Sequence, residues 1–413
     1  MISNTIEIMA PVGSYESLQA AIQGGANAVY FGVGTFNMRS RSSANFSLED
    51  LSKISQICKT HNIRSYLTLN TIVYDSELED VYKVADAAKK EGITAVIASD
   101  LAVLEYLKEI GMEIHISTQC NITNIQSVKF YSRYADVMVT ARELSLEQVK
   151  KITKQIEELQ IKGPAGELVQ IEIFAHGALC MAVSGKCYIS LDNFNYSANR
   201  GACLQPCRRT YDVKDTDHEL ELHIDNKYIM SPKDLCTMPF IDKIIDAGVR
   251  VLKIEGRGRA ADYVKTVTQC YREAADAVLA DEFTQEKSDH WMERLSKVYN
   301  RGFWDGYYLG RKTGEWTDIY GSSATHKKVY IGKITNFYTR VSAAEIKIET
   351  GELKLGDEYV IMGPTTGVCE GVAEEIRVSL VMTESAQKGE LCSMIVPIPV
   401  RRNDKLYKVV PVD

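Results

Sequence analysis

The sequence predicts an α/β protein: a (β/α)8 barrel of the TIM type, followed by a small all-β barrel. Three observations predict it. Short β-branched runs alternate with helical patterns from Ile6 to Glu255. Several of those runs follow a glycine that ends a helix. From Val329 onward the pattern changes to alternating apolar and polar residues.

The predicted strands are Ile6–Ala10, Ala28–Gly32, Arg64–Leu69, Ala95–Ser99, Glu113–Thr118, Asp136–Thr140, Gln170–Ala175 and Val251–Glu255. Each is a near-continuous apolar run, as a parallel strand covered on both faces requires. Between them, Leu48–His61, Ser76–Glu91 and Ser145–Ile156 carry apolar residues at helical spacing. Gly24 and Gly25, Gly92 and Gly248 stand where a helix ends and a strand begins, the position of a left-handed cap. An open doubly wound sheet is the alternative, but no GxGxxG turn follows the first strand.

One interval breaks the rhythm. About 75 residues separate the seventh and eighth predicted strands, far more than one crossover helix needs. In a parallel barrel, the segment leaving the carboxyl end of a strand lies over the mouth. An insertion at about 178–249 is therefore expected to cap the active site. The barrel domain spans 1–312 and includes a long helix over Ala260–Leu279. Residues 313–328 lack clear periodicity and read as a linker. The second domain, 329–413, carries strands at Val329–Ile334 and Ala344–Glu349, with turns at Gly356-Asp357 and Gly363-Pro364.

Apolar residues make up 45% of the chain and charged residues 25%, as in ordinary globular proteins, and the net charge is −7. That balance excludes a protein coated in positive charge, so any nucleic acid must be held by a local basic patch. The start of the chain shows no basic stretch followed by an apolar run, and no apolar run approaches the ~20 residues that span a bilayer. A cytoplasmic protein with no membrane partner is expected.

In the cytosol thiols stay reduced, so clustered cysteines indicate metal binding or catalysis. Of ten cysteines, Cys58, Cys120, Cys270, Cys369 and Cys392 are scattered and read as small buried hydrophobes. Cys180, Cys187, Cys203, Cys207 and Cys236 all fall in the insertion. Four thiolates suit either a tetrahedral zinc or an iron–sulfur cluster. Only Cys203 and Cys207 have the spacing of a zinc knuckle, which tilts toward a cluster and leaves zinc open.

His176, at the end of the seventh strand, is a candidate proton carrier, and His115 a weaker one. Glu255 and Arg257 complete the candidate catalytic set within Lys253–Arg259, a Gly-containing turn of the kind that binds phosphate or carboxylate at a barrel mouth. Arg257 or Arg259 would clamp such an anion, and Glu255 could equally be their structural partner. Arg200, Arg208 and Arg209 beside the thiols, and Arg301 and Trp304 after the eighth strand, are candidates for binding substrate at the mouth. Their alternative role is ordinary: arginines pair with carboxylates, and aromatics pack in a core. Peptidase chemistry finds little support. His218-Glu219 is followed by no second histidine at HExxH spacing, and no GxSxG is present. A Cys180–His176 pair is conceivable but lacks a clear third group to orient the base.

The run Glu172-Ile173-Phe174, His176-Gly177-Ala178-Leu179-Cys180, Ser184-Gly185-Lys186-Cys187 and Ser190 resembles the signature of the peptidase U32 family, the collagenase-like proteases. Ala10–Ser14, Asn37-Met38-Arg39 with Ala44-Asn45-Phe46, Ser117-Thr118-Gln119 and Ala141–Ser145 are similar to further landmarks of that family. So are Ala198–Gly201 with Pro206-Cys207-Arg208, and Ser231–Leu235. The domain after Val329, with Gly363–Gly367, resembles the family's carboxyl-terminal barrel, which is similar to barrels of translation factors.

The two-domain form most resembles the tRNA 5-hydroxyuridine synthases. That resemblance implies hydroxylation of carbon 5 of the wobble uridine, dependence on prephenate, tRNA as partner and a 4Fe–4S cluster. A paralogous partner subunit also fits it. Matched position by position, it implies Cys180, Cys187, Cys203 and Cys236 as ligands, with Cys207 as the alternate. The family's other implied activity is peptidase, and an RNA-binding module with a structural zinc is a third reading.

Overall fold

The computed structural model describes residues 5–41, 45–212, 228–310 and 314–412. All eight predicted barrel strands are present. They are β1 (Glu7–Pro11), β2 (Ala28–Gly32), β3 (Arg64–Leu69), β4 (Ala95–Ala98), β5 (Glu113–Ile116), β6 (Val137–Val139), β7 (Gln170–Ala178) and, after an inserted strand β8 (Asp234–Cys236), β9 (Val251–Ile254). Each of β1 to β6 pairs in parallel with the next, β7 pairs in parallel with β9, and β9 with β1, so eight strands close the barrel.

Alternation along these strands divides two apolar sets. Met9, Tyr30, Tyr66, Ile97, Val137 and Val251 pack together in the barrel interior. Ile8, Phe31, Leu67, Val96 and Leu252 belong to the larger core formed with the helices. Burial on both faces explains why each strand reads as one apolar run. The helices carry the predicted punctuation. Ser14 and Ser145 close capping boxes with Ser17 and Gln148, and Gly92 and Gly248 adopt φ of +74° and +83°.

β7 runs past its predicted end at Ala175 to Ala178, and β8 pairs antiparallel with that extension, His176 opposite Cys236 and Ala178 opposite Asp234. β10 (Phe303–Trp304) lies parallel to β8. Between β7 and β8 the chain forms short turns at Val183–Gly185, Ala198–Arg200 and Pro206–Arg208 and a helix at Ile189–Phe194. Residues 213–227 of the insertion, with the His218-Glu219 pair, lie outside the described residues.

The segment read as a linker is tied down instead. Lys233 N donates to Glu315 O and Thr317 N to Ser231 O, and Trp316 bridges Pro232. Beyond it, eight antiparallel strands between His326 and Pro411 form a sheet with Gly367–Val372 and Val381–Met382 at its edges, and a two-stranded pair stands beside it. Its own core includes Ile331, Ile334, Ile346, Ile348, Ile361 and Leu406. The sheet docks on the barrel helices Tyr15–Gln23 and Ala261–Leu279. Gln23 bonds Thr366 O and Val368 N, both at 2.9 Å, and Lys265 pairs with Glu370. Among the described residues no helix is long and apolar enough to cross a membrane.

Candidate active site at the barrel mouth

The carboxyl ends of the strands open into two adjoining cavities. Cys180, Cys203 and Cys207 border both, and Cys187 borders the deeper one. Burial pushes the Cys207 thiol up to about 11, and Cys180, Cys203 and Cys187 all act on it electrostatically. Four thiols therefore share one chamber. Among the described residues, no three His, Cys, Asp or Glu side chains converge as a single-ion site requires. Sulfur donors set around a chamber, not drawn to a point, fit a bulky polynuclear group.

Cys236 is not among them. It is 3% exposed, packs against Met292 and Tyr271, and burial pushes its thiol up to about 12. Its position in β8, in register with His176, sends the side chain into the helix layer, away from the mouth. The expected ligand Cys236 thus stands apart in the core, while the alternate, Cys207, borders both cavities with Cys180 and Cys203.

Below the thiols lies a network of charges. Arg39, in the segment after β2, donates from Nη2 and Nε to Glu255 Oε1 at 2.9 and 3.2 Å, and Tyr30 Oη donates to Glu255 Oε2. Burial works against the Glu255 charge, but Arg39, Arg257 and Arg142 outweigh it and hold the carboxyl at about 2. Arg257, 6% exposed, donates from Nη1 to Asn37 Oδ1 and Thr68 Oγ1 at 3.0 and 3.1 Å. Lys253 pairs with the buried Glu172 at 2.7 Å and lies over the rings of Tyr30 and Phe174. Motif reading singled out Glu255 and Arg257. It gave Arg39 and Arg142 no role, although both stand in segments that resemble family landmarks, Asn37-Met38-Arg39 and Ala141–Ser145.

A family model described as peptidase family U32 matches residues 13–318. The chain belongs to peptidase family U32. A Porphyromonas gingivalis protein named collagenase is 56% identical over 405 residues, covering 98% of this chain and 98% of its own. The Escherichia coli 23S rRNA 5-hydroxycytidine C2501 synthase is 34% identical over 320 residues, 76% of this chain and 46% of its own length. The Bacillus subtilis tRNA hydroxylation protein P1 is 29% identical over 372 residues, 88% of this chain and 85% of its own.

In this U32 protein the signature splits between two places. Cys180 and Cys187 face the cavities, but His176 does not. It is 2% exposed, packed among Tyr263, Tyr271 and Phe303, and burial drops its pKa to about 3. A neutral imidazole enclosed by aromatic rings is a core residue, so the proton-carrier role expected of His176 is withdrawn. His115 is fully buried between Glu113 and Glu172, inside the barrel.

The arginines divide similarly. Arg200 forks onto Glu77, at 2.9 and 2.5 Å, and stacks on Tyr74, so it fastens the cap and is not free for substrate. Arg208 donates to Ser231 Oγ, Pro232 O and Leu179 O while bordering the outer cavity. Arg209 is exposed over Phe194, away from both cavities. Arg259, stacked on Tyr299, and Arg301, 3.4 Å from Asp234, also border the outer cavity. Trp304 is 4% exposed in the core, which removes it as a stacking platform.

Proposed function

We propose that this protein is an RNA-modifying oxidoreductase that hydroxylates carbon 5 of a pyrimidine, with the wobble uridine of tRNA as target and prephenate as co-substrate. The observation that carries the reading is the set of Cys180, Cys187, Cys203 and Cys207 bordering one cationic chamber. These four thiols would hold an iron–sulfur cluster, which supplies redox chemistry when bound. The rest falls to the chain's own residues. Arg259 and Arg301 at the outer rim would meet RNA phosphates or an unstacked base. The cap covers part of the chamber, and the Arg39–Glu255 pair fixes the floor on which a base would rest.

A peptidase is the second reading, favoured by the name of the 56%-identical relative. Against it, the one nearby imidazole in the signature, His176, is buried away from Cys180, and no thiol–imidazole hydrogen bond occurs among the described residues. Mass spectrometry of tRNA nucleosides separates the two. Deletion of the gene, with any paralogue also removed, is expected to abolish 5-hydroxyuridine derivatives, and the wild-type gene but not Cys207→Ala to restore them. Unchanged nucleosides, with gelatin cleaved by the purified protein and spared by Cys180→Ala, would establish the peptidase.

A further inference from the structure

One part of the deep cavity wall is neither thiol nor charge. Asn70, which follows β3, and Ser117 and Gln119, which follow β5, line it with amide and hydroxyl groups. A single backbone group fixes how they are turned. Met38 N–H can only donate, and it bonds Asn70 Oδ1 at 3.3 Å. The Asn70 amide therefore turns Nδ2 the other way, where it donates to Ser117 Oγ at 3.1 Å and to Gln119 Oε1 at 3.3 Å. Ser117 Oγ donates to the same Gln119 oxygen. With Oε1 held against the wall, Gln119 presents Nε2 to the cavity, and that amino group has no acceptor among the described residues.

The donor is placed as well as oriented. A Cβ on Gly185, in the cap between Cys180 and Cys187, would lie 3.6 Å from Gln119 Nε2, so the amino group stands against the segment that carries the thiols. A polar group held in a fixed direction, with no partner in the wall, is what gives a pocket its specificity.

Pyrimidines differ at the atom such a group reads. Position 4 of uracil carries a carbonyl oxygen, an acceptor, whereas position 4 of cytosine carries an amino group, a donor. Carbon 4 is also the ring neighbour of carbon 5, so a group that reads position 4 stands beside the carbon to be hydroxylated. We infer that Gln119 selects the base, its Nε2 donating to the position-4 oxygen of an unstacked uracil. Cytosine is rejected because its amino group would leave two donors face to face. The inference rests on the hydroxylase reading above and adds the residue that decides which pyrimidine is accepted. Asn70 and Ser117 act through Gln119, as positioning residues.

Fluorescence anisotropy tests it, using the full chain purified without oxygen and two anticodon stem-loop RNAs that differ only in uridine or cytidine at the wobble position. Wild type is expected to bind the uridine RNA roughly tenfold more tightly. Gln119→Glu keeps an oxygen for Asn70 and Ser117 and exchanges only the free donor for an acceptor, so the ratio should reverse in favour of cytidine. Asn70→Asp turns a second oxygen on Gln119, which should flip that amide, show Oε1 to the cavity and move the ratio the same way. Gln126→Glu, the same chemical change at an exposed position of helix Ile125–Tyr131, should leave the ratio as in wild type. Reading a ratio cancels any general loss of RNA affinity caused by an added carboxylate. Equal binding of the two RNAs by wild type, or a uridine preference retained by Gln119→Glu, would overturn the assignment and leave the hydroxylase reading standing. Wild type that binds neither RNA would overturn both.

Discussion

Arg39 Nη2 and Glu255 Oε1 stand 2.9 Å apart and join the segment after β2 to the end of β9 across the barrel mouth. Glu255 is held at about 2 against the opposing effect of burial, so it enters the folded state charged. A carboxyl with a depressed folded pKa contributes stability that is complete above its unfolded value, near 4.5, and lost as pH falls toward 2. Glu255→Gln is therefore expected to cost about 1–3 kcal/mol at pH 7, less than a fully buried pair because Arg39 keeps some solvent contact. Urea unfolding at pH 7 and pH 3 should show the gap between variant and wild type narrowing at the lower pH. A gap that widens on acidification would contradict this.

His176 makes the opposite kind of prediction. Burial drops it from 6.5 to about 3, so it is neutral in the folded protein while the unfolded chain takes up a proton below pH 6.5. Stability from this group is complete above 6.5 and declines as pH falls toward 3. His176→Asn should flatten the loss of stability between pH 7 and pH 5. The His176 ring resonances in wild type should not titrate between pH 5 and pH 8, as a proton carrier's would.

Gly177, in the extension of β7, lets the strand pass close to the end of β9. Its φ is +105°, and a Cβ there would lie 2.3 Å from the Glu255 carbonyl oxygen. Gly177→Ala is expected to cost about 2–4 kcal/mol through backbone strain and that collision, and to displace Glu255 from Arg39. Thermal unfolding checks the first effect. A variant as stable as wild type would show that the close approach of β7 and β9 is not required.

The barrel strands were legible because burial on both faces writes each as an uninterrupted apolar run, from Ile6–Ala10 to Val251–Glu255. β8 was not, since a three-residue strand at Asp234–Cys236 carries no periodicity and exists only by pairing with the extension of β7. Cys236 entered the ligand set through the family resemblance, position by position, and such a match does not show that pairing with β7 leaves this thiol buried in the core. Trp316 and Thr317 misled similarly, because their order comes from bonds to Ser231–Lys233 and not from a local pattern. Arg142 and Arg39 matter through charges contributed by distant strands, which no local window reveals.

Iron and acid-labile sulfide, measured on protein purified without oxygen, test the central claim that Cys180, Cys187, Cys203 and Cys207 hold an iron–sulfur cluster at the mouth. Wild type is expected to be brown, with about four irons per chain. Cys207→Ala should lose the iron, and Cys236→Ala should keep it while losing about 1–3 kcal/mol of stability from a core vacancy. A colourless protein with stoichiometric zinc, or iron lost from Cys236→Ala and retained by Cys207→Ala, would contradict the account.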